Sequence, residues 1–455
     1  MSATQVPVPA QRPVSDVSAP TGWMGLGALT IYLMICHFWP EIVTTFGLPS
    51  RAERLTGPNA ALLGLVITAA PMIAWSLLVD KVHRRASTGI DWTNRRPLSE
   101  VIDISITKLA GLWATWALIA AFYWLGRWYW EGPYLFAMQV LGAAAVPLFL
   151  LSVPYVLWLD RYLVNPRDGA WHMGAMLIGR EAWDPGQIWH HLRAWAVKGF
   201  FTAFMLMIVP GGFQNLVAPD WSSFLTSPPG IAILLITLMF VIDEQIGSVG
   251  YILTMKPLDA QIRSANPFLA GWLAALLCYP PFQLMNPPDR PLFYLAGVPG
   301  DDNWFHVLGG YPALLWLWAA LLVFLTGVYA WATVAFGIRF SNLTYRGVLT
   351  NGPYAFTRHP AYLSKNLFWW CASMPFFVES GSVEEGLRNA FFLACVSAIY
   401  FWRAKTEEKH LLAEDAKYRE YHAWMSRNAL ITRTFGRLGA GLKIRRPALH
   451  PHPAE

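Results

Sequence analysis

What constrains this chain most is the length of its apolar runs. They extend for about 18 to 25 residues, the length a helix needs to cross a hydrocarbon core roughly 30 Å thick. A soluble domain carries about 25% charged residues, whereas this chain of 455 residues carries 14%. A larger soluble core does not absorb that deficit, because surface grows with size. The expected fold class is therefore an all-α integral membrane protein.

The pattern gives about ten candidate transmembrane helices. They run from Trp23 to Trp39, Ala60 to Val79, Ile104 to Trp128, Tyr134 to Leu159 and Val197 to Val217. The rest run from Gly230 to Leu253, Phe268 to Leu284, Pro312 to Phe336, Tyr362 to Phe377 and Leu387 to Trp402. The seventh and ninth are short enough to be tilted, paired or re-entrant.

Lys and Arg collect in alternate connections. Lys81, Arg84, Arg85, Arg95 and Arg96 share one loop, and the segments 161–198, 339–358 and everything after Arg403 are also basic. The intervening loops are nearly free of them, apart from Arg51, Arg54 and Arg290. With ten spans the basic loops share one side, which puts both termini in the cytoplasm. The net charge of +6 is thus topological, and no nucleic-acid partner is expected.

Residues 1–21 are polar and rich in Pro and Ser, with no apolar stretch of a cleavable signal; they are expected to be flexible. Residues 434–455 form a basic tail, also expected to be loose. Cys36, Cys278, Cys371 and Cys395 lie in apolar runs at no metal-like spacing, so they are expected as small core residues without disulfides. Paired aromatics such as Trp128-Tyr129 and Trp369-Trp370 suit a belt at the headgroup level, and Pro147, Pro154, Pro280 and Pro281 are expected to kink helices.

The polar groups that an apolar bundle must explain are few. Asp243-Glu244-Gln245 falls within the sixth run, where carboxylates are expensive and need a cavity, a partner or a proton path. His37 and Glu41 sit at a span end and are expected to be solvated. His190-His191 has no acidic or cysteine companion at ligand spacing, so no metal is expected.

The densest polar stretch runs from Phe336 to Leu363, between two apolar runs. Asn351-Gly352-Pro353 marks a turn, and Pro360 suits the first turn of a helix, which leaves His359 at a helix N-terminus. Such a terminus offers free N–H groups and the positive end of a dipole to a carboxylate. The second stretch, Arg403 to Lys409, follows the last run. Leu411, Leu412, Tyr418, Tyr421 and Met425 then recur at helical spacing, as in an amphipathic helix lying on the membrane interface. A short connection, 379–386, makes the last two runs a hairpin, returning Arg403 and Glu407 to the face that carries His359.

These stretches resemble the isoprenylcysteine carboxyl methyltransferases and the related phospholipid N-methyltransferases. The resemblance rests on Gly352-Pro353-Tyr354, Arg358-His359-Pro360-Ala361-Tyr362, Arg403 to Glu408, and then Tyr418, Tyr421 and Arg427. It implies a catalytic domain at residues 312–433, preceded by a transmembrane region, 22–311, of open role. It further implies that S-adenosylmethionine is held by the backbone of Arg346, Gly347, Val348 and Leu349, by Tyr354, by His359, Pro360, Ala361 and Tyr362, and by Glu407. Arg403 would face the methyl acceptor, which would be a lipid or lipid-like molecule at the cytoplasmic face. The family often has Gly where this chain has Ser364, followed by Lys365 and Asn366, so the acceptor pocket is expected to differ or Lys365 to reach the headgroups.

Methyl transfer from a sulfonium is an in-line displacement that needs positioning and a dry channel. A carboxylate acceptor needs a cation such as Arg403 to orient it. An amine or hydroxyl would also need a base, for which Glu408 and His410 are candidates, although both also suit a solvated helix surface. Two other classes stay open: a membrane reductase or isomerase using NADPH or haem, and a transporter or scaffold built on Asp243 and Glu244.

Overall fold

The computed structural model describes residues 9, 11–179, 182–279, 303–378, 381–429 and 431–434. Among these the chain forms fifteen α-helices and one two-stranded ribbon. The helices are α1 (Ala19–His37), α2 (Trp39–Phe46), α3 (Pro58–Ala74), α4 (Leu98–Leu125), α5 (Gly132–Asp160), α6 (Gly169–Ile178), α7 (Pro185–Val217) and α8 (Trp221–Phe224). They continue as α9 (Pro228–Ile252), α10 (Leu269–Leu276), α11 (Asn303–Leu308), α12 (Pro312–Phe336), α13 (Pro360–Ser373), α14 (Val383–Glu414) and α15 (Ala416–Asn428). The ribbon pairs β1 (Ser264–Ala265) with β2 (Thr344–Tyr345), antiparallel, with Ser264 opposite Tyr345.

Among the described residues, seven helices are long and apolar enough to cross a membrane: α1, α3 with its continuation to Val79, α4, α5, α7, α9, and α12 with its continuation to Arg339. On α5, Val146, Leu148, Leu150 and Leu151 are all more than half exposed, an arrangement suited to lipid and costly in water. The protein is therefore all-α and membrane-embedded. The other three expected runs differ. The seventh contains α10, and its residues from Pro280 to Leu284 lie outside the described residues, as do Pro281, Arg290 and the tail beyond residue 434. The ninth is α13, whose 14 residues rise about 21 Å and do not span a bilayer alone. The tenth is the apolar first half of α14, a helix of 32 residues that runs on without a break through Arg403 and Glu407.

Packing follows the small residues. A methyl group on Gly174 of α6 would collide with the Thr107 carbonyl of α4, and one on Gly22 of α1 with the Val334 carbonyl of α12. Helices so closely crossed are held by dispersion along their whole contact, the force left to helix pairs in lipid. Helices α1, α3, α7 and α9 share one apolar core with Ala330, Val334 and Ile338 at the end of α12. The N-terminal bundle and the C-terminal elements thus meet along α9 and α12.

The three polar residues of α9 turn to three neighbours. Asp243 accepts hydrogen bonds from Tyr329 Oη (2.7 Å) and from Thr333 Oγ1, both on α12. Glu244 lies against Gly212 of α7, and Gln245 Nε2 is 3.4 Å from the Ala61 carbonyl of α3. Successive helical residues point about 100° apart, so no single partner was needed. A second buried pair, Lys108 with Asp160 at 2.5 Å, ties α4 to α5, and Ser105 adds a donor at 2.8 Å.

His37 departs from its expected solvated place. It is 4% exposed, its Nδ1 is 3.0 Å from the Val217 carbonyl, and its ring stacks on Trp221 at 3.6 Å. Glu41, one turn on, is exposed. His190 and His191 bond the Arg263 carbonyl and Thr115 Oγ1, each at 2.9 Å, and no cluster of metal-binding type occurs among the described residues. All four cysteines are free thiols.

Candidate functional site

Between α12 and α13 the chain spends 23 residues outside α-helix, and its course is fixed mainly by one side chain. The Arg346 guanidinium donates to the carbonyls of Ala260 (2.9 Å), Gly250 (2.8 Å), Phe340 (2.9 Å), Leu253 (2.6 Å) and Ile338 (3.0 Å). Three of these carbonyls belong to the end of α9 and the turns after it, and those of Ile338 and Phe340 to the turn that follows α12. A planar fork with five donors suits such a cluster of orphan acceptors. Arg346 therefore faces the scaffold with its side chain and the neighbouring space with its backbone.

The next residue, Gly347, has φ +112, where a side chain is strained. A Cβ there would also lie 2.5 Å from Arg339 Nη1 and 2.9 Å from Asp16 Oδ2. Asp259, 1% exposed, holds Arg339 at 2.5 Å. Further on, Gly352–Ala355 makes a single 3-10 turn. That turn sets the Tyr354 ring edge-on to Phe336, and Tyr421 Oη donates to the Tyr354 carbonyl at 2.7 Å.

Pro360 opens α13, as its fixed φ and missing N–H favour. It is buried in the helix turn. His359 caps the helix, stacks on Tyr362 at 5.8 Å, and lies 3.0 Å from Glu408 Oε1 through Nε2. An ionised carboxylate only accepts, so Nε2 carries the proton. Glu408 also meets Arg358 Nε at 3.0 Å and Lys405 Nζ at 2.7 Å. Burial alone would raise its carboxyl, but the His359 hydrogen bond and the charges of His359, Arg358 and Lys405 outweigh it, holding it well below the usual range. Glu408 is thus neither solvated nor free to take a proton; it clamps the His359 turn to α14.

One turn deeper, Glu407 Oε1 accepts from Tyr362 Oη at 2.5 Å and from Arg403 Nε at 3.3 Å. Arg403 is 2% exposed. Its remaining nitrogens reach Asn342 Oδ1 at 2.5 Å and Tyr279 Oη at 3.4 Å, and its plane lies over the Tyr362 and Tyr279 rings. A bidentate fork held this way retains further N–H donors for an anionic or carbonyl oxygen. Deeper again, Lys365 Nζ sits 5.2 Å from the centres of both Tyr329 and Trp369 and 6.0 Å from Tyr400. It faces inward over aromatic rings and does not snorkel.

These groups line one cavity. Its walls include Arg346, Gly347, Val348, Leu349, Tyr354, His359, Ala361, Tyr362, Arg403 and Glu407. Of the candidates named from sequence for cofactor and acceptor, Pro360 is not in the wall, and neither is the candidate base Glu408. The hairpin of α13 and α14 does return Arg403 and Glu407 to His359.

The stretch after Glu407 differs from expectation. Helix α14 ends where Asp415 caps α15, accepting from Lys417 N at 2.6 Å. Tyr418, Tyr421 and Met425 keep their helical spacing but are buried against Tyr345 and Val348, so this face covers the site loop instead of the bilayer. His410, 2% exposed, lines the cavity with Nε2 at 2.9 Å from Ser264 Oγ; burial lowers its pKa below the ordinary value.

Several wall residues carried no local signal. Tyr279, the α12 pair Tyr329 and Thr333, and Asn342 come from three places in the chain, and only the fold assembles them. Val17, from the polar N-terminal segment, is also in the wall. The Thr344 hydroxyl is buried there without a hydrogen-bond partner, a donor and acceptor available to a bound molecule. No family model, curated protein or solved structure matches the chain.

Proposed function

We propose that this protein is a membrane methyltransferase that uses S-adenosylmethionine and acts on a lipid or lipid-like acceptor. The observation that carries the proposal is the convergence of residues. Positions from Arg346 to Glu407, selected by resemblance to the isoprenylcysteine carboxyl methyltransferases and their relatives, line one cavity although three elements supply them. The return of Arg403 and Glu407, some forty residues further along the chain, to the wall formed by 346–362 is what supports the reading.

The residues suit the cofactor. Its adenine and ribose would be held by the ring faces of the wall and by the backbone of 346–349, with the Thr344 hydroxyl nearby. Its carboxylate would be held by Arg358 and by the free N–H groups of the first turn of α13, and its cationic centre would face the Glu407 carboxylate. The group supplies an electrophilic methyl on sulfur. Arg403 orients the acceptor oxygen through its spare N–H groups, while the surrounding rings exclude water.

The acceptor comes from the bilayer, because the site lies at one end of a membrane bundle. The basic loops meet at that end: Arg85 donates to the Asp16 carbonyl at 2.7 Å, and Arg263 lies 3.2 Å from Asp259. By the positive-inside rule we assign this end to the cytoplasm, with both termini there and α13 and α14 supplementing the long helices.

Calorimetric titration of the purified full chain with S-adenosylmethionine and S-adenosylhomocysteine tests the proposal. Binding by the wild type and its loss in a His359→Ala, Glu407→Ala double variant are expected. No binding by the wild type refutes the function, and binding that survives in the variant refutes the site.

A further inference from the structure

Residues 11–18 precede the first long helix and contain no motif, yet they run along the outer side of the site loop. Asp16 N donates to the Val348 carbonyl at 2.9 Å, and Val348 N donates back to Asp16 Oδ2 at 2.7 Å. Neighbouring bonds extend the contact: Thr350 Oγ1 to the Pro13 carbonyl at 2.8 Å, and Asn351 Nδ2 to the Val17 carbonyl at 2.9 Å. The other Asp16 oxygen accepts from Lys417 Nζ of α15 at 2.5 Å. Arg85 Nη1 holds the Asp16 carbonyl at 2.7 Å, and Arg263 Nη1 lies 3.9 Å from Oδ2. Burial would raise the Asp16 carboxyl, but the Lys417 hydrogen bond, the Val348 N–H and the charges of Lys417 and Arg339 bring it below its ordinary value.

We propose that Asp16 is a positioning residue for the site: it fixes the backbone of Gly347 to Leu349 by pinning Val348 to α15. The geometry explains why one carboxylate has this reach. Its two oxygens bridge the loop at Val348 to α15, adding a charged tie to the apolar packing of Val348 with Tyr418 and Tyr421 and to the Tyr421–Tyr354 and Tyr345–Asp415 hydrogen bonds on either side. Gly347 at φ +112 packs its Cα against the same oxygen, so the loop conformation and the carboxylate position determine each other. Val17, next in sequence, reaches the cavity wall, so a displaced Asp16 alters the wall directly. A backbone N–H that binds a ligand is useful only if it waits in place; an acceptor behind the loop supplies that preorganisation. As a statement about cofactor affinity, this rests on the function proposed above. As a statement about loop order, it stands on the contacts alone.

The test uses the full chain in detergent with Asp16→Ala and Asp16→Asn, and Asp91→Asn as control, since the Asp91 carboxylate bonds Thr93 away from the site. Two readouts are taken: hydrogen exchange of the amides from residue 347 to 350 without ligand, and titration with S-adenosylhomocysteine. In Asp16→Ala the amides should exchange faster, and affinity should fall about tenfold, with the melting temperature kept. Asp16→Asn retains an oxygen for Val348 N–H but loses the charge toward Lys417, so it should fall between Asp16→Ala and the wild type. The control should match the wild type. If Asp16→Ala is unstable, Asp16→Asn carries the test. Unchanged exchange at residues 347–350 overturns the proposal. Faster exchange in a protein whose wild type binds no S-adenosylhomocysteine upholds the loop contact and overturns the cofactor assignment instead.

Discussion

Replacing Glu408 by Gln removes the charge on which Arg358, Lys405 and the His359 imidazole converge while changing almost no volume. The side chains of Arg358 and His359 are 13% and 22% exposed, whereas Lys405 is 48% exposed. The exposed Lys405 pair is worth less than about 1 kcal/mol. The His359 hydrogen bond to the charged carboxylate contributes about 1.5–3 kcal/mol, the close Arg358 ion pair adds a Coulombic part that Gln removes, and Gln keeps one acceptor oxygen for the His359 N–H. The expected loss is therefore about 2–4 kcal/mol, at the lower edge of what breaking a buried pair costs. The pH dependence gives an independent sign. The folded carboxyl titrates below its ordinary value of 4.5, so its stabilisation is complete above that pH and is lost as pH falls below it. The wild type should lose stability on acidification through this window, and Glu408→Gln should lose less. Thermal unfolding in detergent between pH 3 and pH 7 measures both effects, at roughly one-unit steps. Because Arg358 and His359 line the cavity, affinity for S-adenosylhomocysteine should fall about tenfold in the same variant. A variant as stable as the wild type at pH 7, with the same acid limb, would refute the clamp.

Two backbone tests follow. Gly347→Ala meets both an unfavourable φ and the Arg339 and Asp16 contacts; it should cost about 1–3 kcal/mol locally and abolish S-adenosylhomocysteine binding at an unchanged helix content by circular dichroism. Gly174→Val should separate α6 from α4 and destabilise the bundle by about 2–4 kcal/mol in thermal unfolding, well over the effect of a Val at the open Gly142.

What could be read without coordinates divides along a physical line. Apolar length is a local property, so α1, α3, α5, α9 and α12 appear within a few residues of their expected bounds, whereas α4 and α7 begin well before theirs, at Leu98 and Pro185, because their polar first turns extend the helix beyond the apolar run. Span count was harder, because α13 is half-apolar and short, and α14 joins an apolar half to a charged half in one helix. The site was legible where backbone chemistry is written in sequence: a turn at Gly352, a Pro at the helix start, an Arg and a Glu one turn apart. Tertiary identity was not. Tyr418 and Tyr421 have the spacing of an interfacial helix, and nothing in that spacing says that a loop covers them. Glu408 looks like any charged residue on a surface helix until Arg358 and His359 are brought against it. Asp16 was hidden for the opposite reason: a Pro- and Ser-rich segment has the composition of a loose end, and only its long-range pairing with Val348 and Lys417 gives it order.

The proposed methyl transfer is open to measurement as transfer itself. Purified protein is incubated with methyl-labelled S-adenosylmethionine and a total membrane lipid extract, and label is counted in the organic phase. Label should enter a lipid product with the wild type, and fall by at least about a hundredfold with Arg403→Lys, which keeps the charge but loses the fork held by Glu407 and Asn342. Label that stays in the aqueous phase with the wild type, across neutral and anionic lipid fractions, would contradict the claim.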